Sequence, residues 1–229
     1  MAYMERHRTA LSFDDVLLVP KFSDVMTRKD IVIEQKLKGL RSFSLPIIAS
    51  PMDTVTETKM ACAISKEGGV GIIHRYNTID EQTKMVANIR MAGHQVGAAI
   101  GVGVTFLDRA KALSEAGVNF LCIDVAHGHH TKVRYALQVL KNTFGDEIHL
   151  MAGNVATLEA FNDLADWGAD SIRVGIGGGS ICSTRIQTGH GMPTLQSVMD
   201  CAQSDRDATL IADGGIRTSG DIVKALAAG

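Results

Sequence analysis

A glycine-rich run that ends in a cysteine is the strongest chemical feature of the sequence. Residues 175–182 read Gly-Ile-Gly-Gly-Gly-Ser-Ile-Cys, and Ser183, Thr184 and Arg185 follow. Glycine loses too much conformational entropy in a regular strand or helix for this run to belong to either, so the run predicts a loop whose backbone closely approaches a ligand. Amides of such a loop can hold a phosphate, and its carbonyls can surround a monovalent cation.

Cys182 is the candidate nucleophile. The flanking hydroxyl residues and Arg185 predict a partly exposed, electropositive setting that favours the thiolate. Cys62, Cys122 and Cys201 lie in apolar or helical contexts, and we expect them to react slowly. The wide spacing of the cysteines indicates reduced thiols rather than a disulfide framework. A flexible linker with a passive cysteine is the alternative, but linkers seldom lie at the carboxyl end of a barrel strand.

Three further polar or thioether features are candidates for nucleotide contacts. In the Asp-Gly-Gly sequence at 213–215, the carboxylate can accept hydrogen bonds from ribose and the amides can face phosphate, although the same sequence also forms ordinary turns. Asn154 is either a ligand contact or the N-cap of the helix that follows near Thr157. Met52 is either a core residue or a platform for an aromatic base.

A carboxylate and three histidines stand together in the segment Asp124-Val125-Ala126-His127-Gly128-His129-His130. Metal binding is one interpretation. However, the adjacent His129 and His130 cannot easily share one ion, and no further carboxylate–histidine set supports a metal. We therefore favour a cofactor contact over a catalytic metal for this segment.

Apolar runs alternate along the chain with amphipathic segments that end in glycine. The apolar runs predict strands at Pro46–Ser50, Gly69–His74, Val96–Gly101, Phe120–Val125, His149–Asn154, Ser171–Gly177 and Leu210–Gly214. Helices are predicted at Thr54–Lys66, Ile79–Met91, Phe106–Ala116, Thr131–Thr143, Leu158–Trp167 and Ser219–Ala228. Near-continuous apolar strands that alternate with such helices indicate a parallel sheet covered by helices.

Polar residues or glycine end almost every predicted strand: Ser50, His74, Gly103, Asp124, Asn154, Gly177 and Asp213. A closed barrel gathers all these ends at one mouth, whereas an open sheet uses only those beside a switch point. The sequence therefore predicts an α/β fold, a (β/α)₈ TIM barrel with about seven βα units visible. Closure needs an eighth strand, so we expect the C-terminal part to be missing and the chain to be a fragment.

Length and charge fit one catalytic domain over residues 1–229, with an N-terminal extension at 1–45 and barrel units at 46–229. Hydrophobic residues make up 45% of the chain, and the formal net charge is −2. A balanced charge argues against nucleic-acid or membrane-surface binding, and no apolar run is long enough to span a membrane. We expect a soluble, cytoplasmic protein.

Several segments together resemble the inosine-monophosphate dehydrogenase and guanosine-monophosphate reductase family. They are Leu11–Pro20, Ser50–Glu57, Gly68–His74 and Gly179–Arg185, the last followed downstream by Asp-Gly-Gly-Ile at 213–216. The similarity runs over essentially the whole chain, and the glycine–cysteine loop is highly specific to the family.

The resemblance implies a role for each candidate residue. Cys182 would attack C2 of a purine nucleotide, with Thr184 in the catalytic set. The nucleotide would be positioned by Ser50, Met52, Asn154, Arg173, Ser180, Asp213, Gly214 and Gly215. The nicotinamide cofactor, NAD or alternatively NADP, would contact Asp124, Val125, Ala126 and Gly175, with Asp124 against its ribose. Potassium would bind carbonyls of Gly177, Gly179 and Cys182, and the protein would be a homotetramer.

Two departures from the family pattern affect the choice of activity. Family dehydrogenases usually carry a regulatory CBS module between the second helix and third strand, whereas Arg90–Gln95 joins these elements directly. The region that best separates dehydrogenase from reductase would follow Gly229. The Ser-Pro-Met sequence at 50–52 resembles the dehydrogenases, and we favour oxidation of IMP to XMP over reduction of GMP to IMP. A truncated nucleotide-binding protein without turnover is the third interpretation.

Overall fold

The computed structural model describes residues 9–40 and 42–229, so residues 1–8 and 41 of the predicted extension lie outside the described residues. The strands are β1 Ile48–Ala49, β2 Val70–Ile73, β3 Val96–Ile100, β4 Phe120–Asp124, β5 His149–Val155, β6 Ser171–Val174 and β7 Thr209–Ala212. The helices are α1 Thr58–Lys66, α2 Ile79–Met91, α3 Phe106–Glu115, α4 Thr131–Phe144, α5 Leu158–Asp166, α6 Thr184–Thr188, α7 Thr194–Cys201 and α8 Ser219–Ala228.

The seven strands form one parallel sheet in chain order, from β1 to β7. Within the described part of the chain β1 and β7 are not paired, but Ile48 of β1 and Leu210 of β7 line the same cavity. The sheet therefore curls until its two edge strands face each other across a gap. This is a (β/α)₈ barrel with seven strands in place, as the sequence predicts.

Side chains along the strands alternate between two apolar layers, because successive residues of a strand point to opposite faces. Ala99, Phe120 and Cys122 belong to a cluster inside the curled sheet. Ala98 and Leu121, which are their neighbours along β3 and β4, belong to the larger cluster between sheet and helices. This two-sided burial explains the near-continuous apolar strands of the sequence.

The segment before β1 covers the amino ends of the strands. Its residues Leu37, Leu40 and Phe43 are buried in the interior cluster of the sheet. His149, at the start of β5, contacts the Lys38 carbonyl through Nδ1 at 2.9 Å. The extension thus closes the end of the barrel opposite the strand carboxyl ends.

The helix predictions are confirmed for α2 and α8 at both ends, whereas α1 starts at Thr58 rather than Thr54. The five glycines predicted to stop helices have positive φ, between 58° and 107°, which is the conformation that favours glycine after a helix. They are Gly68, Gly93, Gly117, Gly145 and Gly168. Two helices, α6 and α7, were not predicted from the sequence, and both follow the glycine loop.

Candidate functional site

The carboxyl ends of the strands open into a cavity of about 1120 Å³. Ligand pockets typically measure about 300–1,000 Å³, and part of this volume is the gap between β1 and β7. Every residue assigned from the sequence to catalysis, substrate, cofactor or cation lines this cavity: Ser50, Met52, Asp124, Val125, Ala126, Asn154, Arg173, Gly175, Gly177, Gly179, Ser180, Cys182, Thr184, Asp213, Gly214 and Gly215. The structure brings the whole set together, and the role of each residue stays a prediction.

Arg173 of β6 lies at the centre of the polar network. Its side chain is buried, with 5% of the residue exposed. Nη1 donates to Oδ1 of Asp124 at 2.8 Å, and Nη2 donates to Oδ2 of Asp213 at 2.9 Å. One guanidinium therefore fixes both carboxylates, and a buried charge of this kind needs such partners to be tolerated.

Asp213 follows β7 and accepts hydrogen bonds on both carboxylate oxygens. Ser50 Oγ donates to Oδ1 at 2.9 Å, and Asn154 Nδ2 donates to Oδ2 at 2.6 Å. The N-cap of α5 is Thr157, whose hydroxyl accepts from the Ala160 amide. The capping interpretation of Asn154 is therefore wrong, and its side chain faces the cavity.

The Cys182 thiol lies beside Thr184 and is partly buried. Its sulfur is 3.3 Å from Thr184 Oγ1. The pKa of Cys182 is lowered, chiefly because the Thr184 hydroxyl and then the Thr184 amide stabilise the thiolate; burial opposes this, while the Gly177 amide and the Arg185 charge add smaller contributions. The hydroxyl flank predicted from the sequence thus matters more than the arginine.

The other three cysteines differ in burial. Cys122 and Cys201 are fully buried, and burial is the main reason that the pKa of each thiol is raised to about 12. Such thiols stay protonated at neutral pH and are weak nucleophiles. Cys62 is partly exposed on α1, so the apolar surroundings expected from the sequence do not shield it fully.

The glycine loop packs edge to edge against the Asp-Gly-Gly turn. An ideal Cβ on Gly214 would lie 3.0 Å from the Gly179 nitrogen, and one on Gly215 would lie 3.0 Å from the Gly178 carbonyl oxygen. Among the described residues, the amides of Ser180, Gly214 and Gly215 donate to no protein acceptor. Free backbone amides in a concave turn are suited to an anion such as phosphate.

The histidines after Asp124 have local structural contacts. His129 Nε2 lies 2.7 Å from Oδ2 of Asp163, and its ring stacks on Trp167. His130 caps α4 by accepting from the Lys132 amide. Within residues 9–40 and 42–229, no group of three or more His, Cys, Asp or Glu is arranged to hold a metal ion.

Two residues at the site were not predicted from the sequence. Arg75 lines the cavity mouth, and it directly follows His74 at the end of β2, so the strand-end pattern could have found it. Thr194 lies behind Gly178, and no sequence signal marked it because it begins a helix that was not predicted.

The fold and the site define a class of protein: a βα-barrel protein with a cysteine-bearing glycine loop at the carboxyl ends of its strands. In the part of the chain that the structure describes, no helix is both long and apolar enough to cross a bilayer. The family model described as IMP dehydrogenase / GMP reductase domain matches residues 10–229. The chain belongs to this family.

Curated relatives carry both names of the family. The chain is 36% identical to inosine-5'-monophosphate dehydrogenase of Borreliella burgdorferi, covering 97% of the chain and 67% of the relative. It is 39% identical to the enzyme of the same name from Cryptosporidium parvum, over 96% of the chain and 65% of the relative. A GMP reductase of Leishmania major is 30% identical over 96% of the chain and 72% of the relative. The chain thus spans about two thirds of the length of these proteins.

Proposed function

We propose that this chain is the main part of the catalytic barrel of an NAD-dependent enzyme that oxidises IMP to XMP through a covalent adduct on Cys182. The observation that carries the proposal is the Cys182 thiol itself. Its pKa is lowered by Thr184, and it lines the same cavity as the Arg173 network. The preponderance of dehydrogenases among the relatives named above supports oxidation over reduction.

The proposed substrate is held by groups of matching chemistry. The free amides of Ser180, Gly214 and Gly215 bind the 5′-phosphate, because unpaired N–H groups on two loops that pack against each other suit an anion. Asp213 accepts hydrogen bonds from the ribose hydroxyls, and these compete with the Ser50 hydroxyl for its Oδ1 atom. Met52, which is 37% exposed at the mouth, packs against the purine ring.

Cys182 performs the covalent step. Its thiolate adds to C2 of IMP, and a C–S bond forms as the π electrons of the C2–N3 double bond move onto N3. That double bond re-forms as the C2 hydrogen leaves as a hydride with its two electrons. NAD⁺ supplies the acceptor for that hydride when it is bound. Water next attacks C2, the C–S bond breaks, and XMP, one proton and the free thiolate result. Thr184 stabilises the thiolate at the start and at the end of the cycle by donating its hydroxyl hydrogen bond.

The remaining assignments follow the same site. Asp124, Val125, Ala126 and Gly175 line the side of the cavity proposed for the nicotinamide cofactor. Potassium would bind the carbonyl oxygens of Gly177, Gly179 and Cys182. The two glycines have no side chain that could obstruct the ion. The Gly179 carbonyl accepts the Cys182 amide at 3.1 Å and keeps a second lone pair for a cation. A homotetramer located in the cytoplasm completes the proposal.

The test is NADH formation by the complete protein from IMP and NAD⁺, followed by absorbance at the NADH band. We expect turnover in the parent and in Cys62→Ala, which removes a partly exposed thiol outside the cavity. Cys182→Ala should lose several powers of ten in rate because no covalent route remains, while IMP still binds. Near-normal turnover by Cys182→Ala would contradict the mechanism.

GMP reductase is the second candidate, and two observations favour it. The Leishmania relative has that name, and α2 connects to β3 through only residues 92–95, without room for a regulatory module there. In that reaction Cys182 would add to C2 of GMP, ammonia would leave, and NADPH would supply the hydride that yields IMP. Activity with GMP and NADPH alone would transfer the assignment to the reductase.

A further inference from the structure

Arg75 presents unused hydrogen-bond donors at the mouth of the cavity. Its Nε donates to the Asp124 carbonyl oxygen at 3.1 Å, and its Cζ lies 5.2 Å from the centre of the Tyr76 ring. Its Nη1 is 3.4 Å from the point that a Cβ on Gly101 would occupy. The hydrogen bond to Asp124 and the contact with the Tyr76 ring hold the guanidinium in place. Among residues 9–40 and 42–229, no protein acceptor pairs with either Nη group of Arg75.

A second guanidinium increases the positive charge at this point. Arg109 donates through Nη1 to Gln82 Oε1 at 2.6 Å and through Nη2 to the Asn77 carbonyl at 2.9 Å. These acceptors are uncharged, and within the described chain neither Arg75 nor Arg109 forms an ion pair with a carboxylate. Burial and then the nearby charge of Arg75 lower the pKa of Arg109. Arg75 lines the cavity, and a second cation near it without a counter-ion strengthens the attraction for an anionic ligand.

The position of Arg75 identifies the anion by chemical class. Asp124 is expected to lie against a ribose of the nicotinamide cofactor, and Arg75 donates to the backbone carbonyl of that same residue. The group next to this ribose in a dinucleotide is the pyrophosphate. A guanidinium with two free Nη groups suits the bidentate binding of phosphate oxygens. We propose that Arg75 binds the pyrophosphate of the dinucleotide, an inference that rests on the proposed function.

The test uses the complete protein and isothermal titration with ADP-ribose, which carries the pyrophosphate without nicotinamide. Arg75→Ala should weaken ADP-ribose binding roughly tenfold or more, because a charge-assisted contact is lost. Binding of adenosine, which has no phosphate, and of IMP should not change. Arg75→Gln keeps a donor for the Asp124 carbonyl but removes the charge, so it should behave like Arg75→Ala. Lys111→Ala removes an exposed charge on α3 and should match the parent.

Each other outcome overturns the assignment. Equal ADP-ribose affinity in the parent and in Arg75→Gln would exclude a pyrophosphate contact. An effect on NADP binding without one on NAD would place Arg75 at the 2′-phosphate instead. Equal weakening of adenosine and ADP-ribose would indicate a general disturbance of the loop. Failure of the proposed function can be distinguished from failure of this assignment. If the parent protein binds ADP-ribose through Arg75 but forms no NADH from IMP, only the proposed oxidation of IMP is refuted.

Discussion

Gly178, in the middle of the glycine loop, is the position where one added methyl group should disturb the site most clearly. An ideal Cβ there would lie 2.1 Å from Thr194 Oγ1, well inside the roughly 3.5 Å at which non-bonded heavy atoms attract. Thr194 is 4% exposed at the start of α7, so it has little room to move aside. Overpacking of this kind costs about 1–3 kcal/mol. We expect Gly178→Ala to lower the free energy of unfolding by that amount and to displace Cys182.

A double-mutant cycle isolates the contact. Thr194→Ala removes Oγ1 and leaves the Thr194 Cβ at an ordinary 3.4 Å, and Oγ1 has no hydrogen-bond partner within the described structure to lose. Gly178→Ala should therefore be nearly neutral in that background, which gives a coupling of about 1–3 kcal/mol between the two positions. Thr194→Val is the matched control, because its branched side chain keeps the clash.

Urea unfolding midpoints and the alkylation rate of Cys182 provide the two readouts for this cycle. The first reports the free energy of the overlap, and the second reports displacement of the loop. If Gly178→Ala costs the same free energy with Ala at 194 as with Thr, the steric reasoning is refuted.

Two further predictions concern the cation and the thiol. Potassium should accelerate turnover more than sodium, because the carbonyls of Gly177 and Gly179 suit a large, weakly hydrated ion; equal rates in lithium, sodium and potassium salts would contradict this. The alkylation rate of Cys182 should follow the population of its thiolate. Thr184→Val removes the main cause of the lowered pKa of Cys182. This substitution should therefore shift the pH profile of the alkylation rate to higher pH and slow the reaction at neutral pH. Ser183→Ala, whose side chain makes no capping bond, should leave the profile unchanged, and identical profiles for all three proteins would disprove the role of Thr184.

The helices that the sequence predicts best are those whose ends have chemical signals. Helix α2 begins after Thr78, and helix α8 begins after Thr218. In each case the threonine hydroxyl accepts a hydrogen bond from the amide of the third helical residue, and the acidic side chain of that residue accepts one from the threonine amide. Such a capping box is visible in the sequence. Together with the period of the apolar residues it determines both ends of each helix, so these bounds are predictable without tertiary information.

Helix α7, one of the two that were not predicted, lacks such signals. Six of the eight residues of α7 are buried, including the polar Thr194, Gln196 and Ser197. Its N-cap is Pro193, which has no side chain that could accept a hydrogen bond from a helix amide, so the sequence carries no start signal of the kind found at Thr78 and Thr218. The late start of α1 has another cause. Thr54 takes a φ of 59°, a conformation that a helix excludes and that the sequence does not reveal.

The site was predictable as a set of positions but not as a set of contacts. Parallel strands deliver their carboxyl ends to one mouth, so the polar residues there could be chosen from the chain alone. Which of them bond to each other depends on side-chain directions across the barrel. Asn154 illustrates the limit, because capping and ligand roles were equally compatible with the sequence. The structure excludes capping, since Thr157 is the N-cap and the Asn154 amide instead donates to Asp213 at 2.6 Å.

The Arg173 bridge has a consequence for how the two halves of the cavity work together. Asp124 lies on the side proposed for the cofactor and Asp213 on the side proposed for IMP, and both carboxylates depend on one buried guanidinium. A ribose hydroxyl that bonds to either carboxylate therefore changes the charge balance felt by the other through Arg173. Because the group is 5% exposed, water screens this interaction little. The network thus links the positions proposed for substrate and cofactor electrostatically, which would suit the proposed reaction because that reaction needs C2 and the hydride acceptor aligned at once.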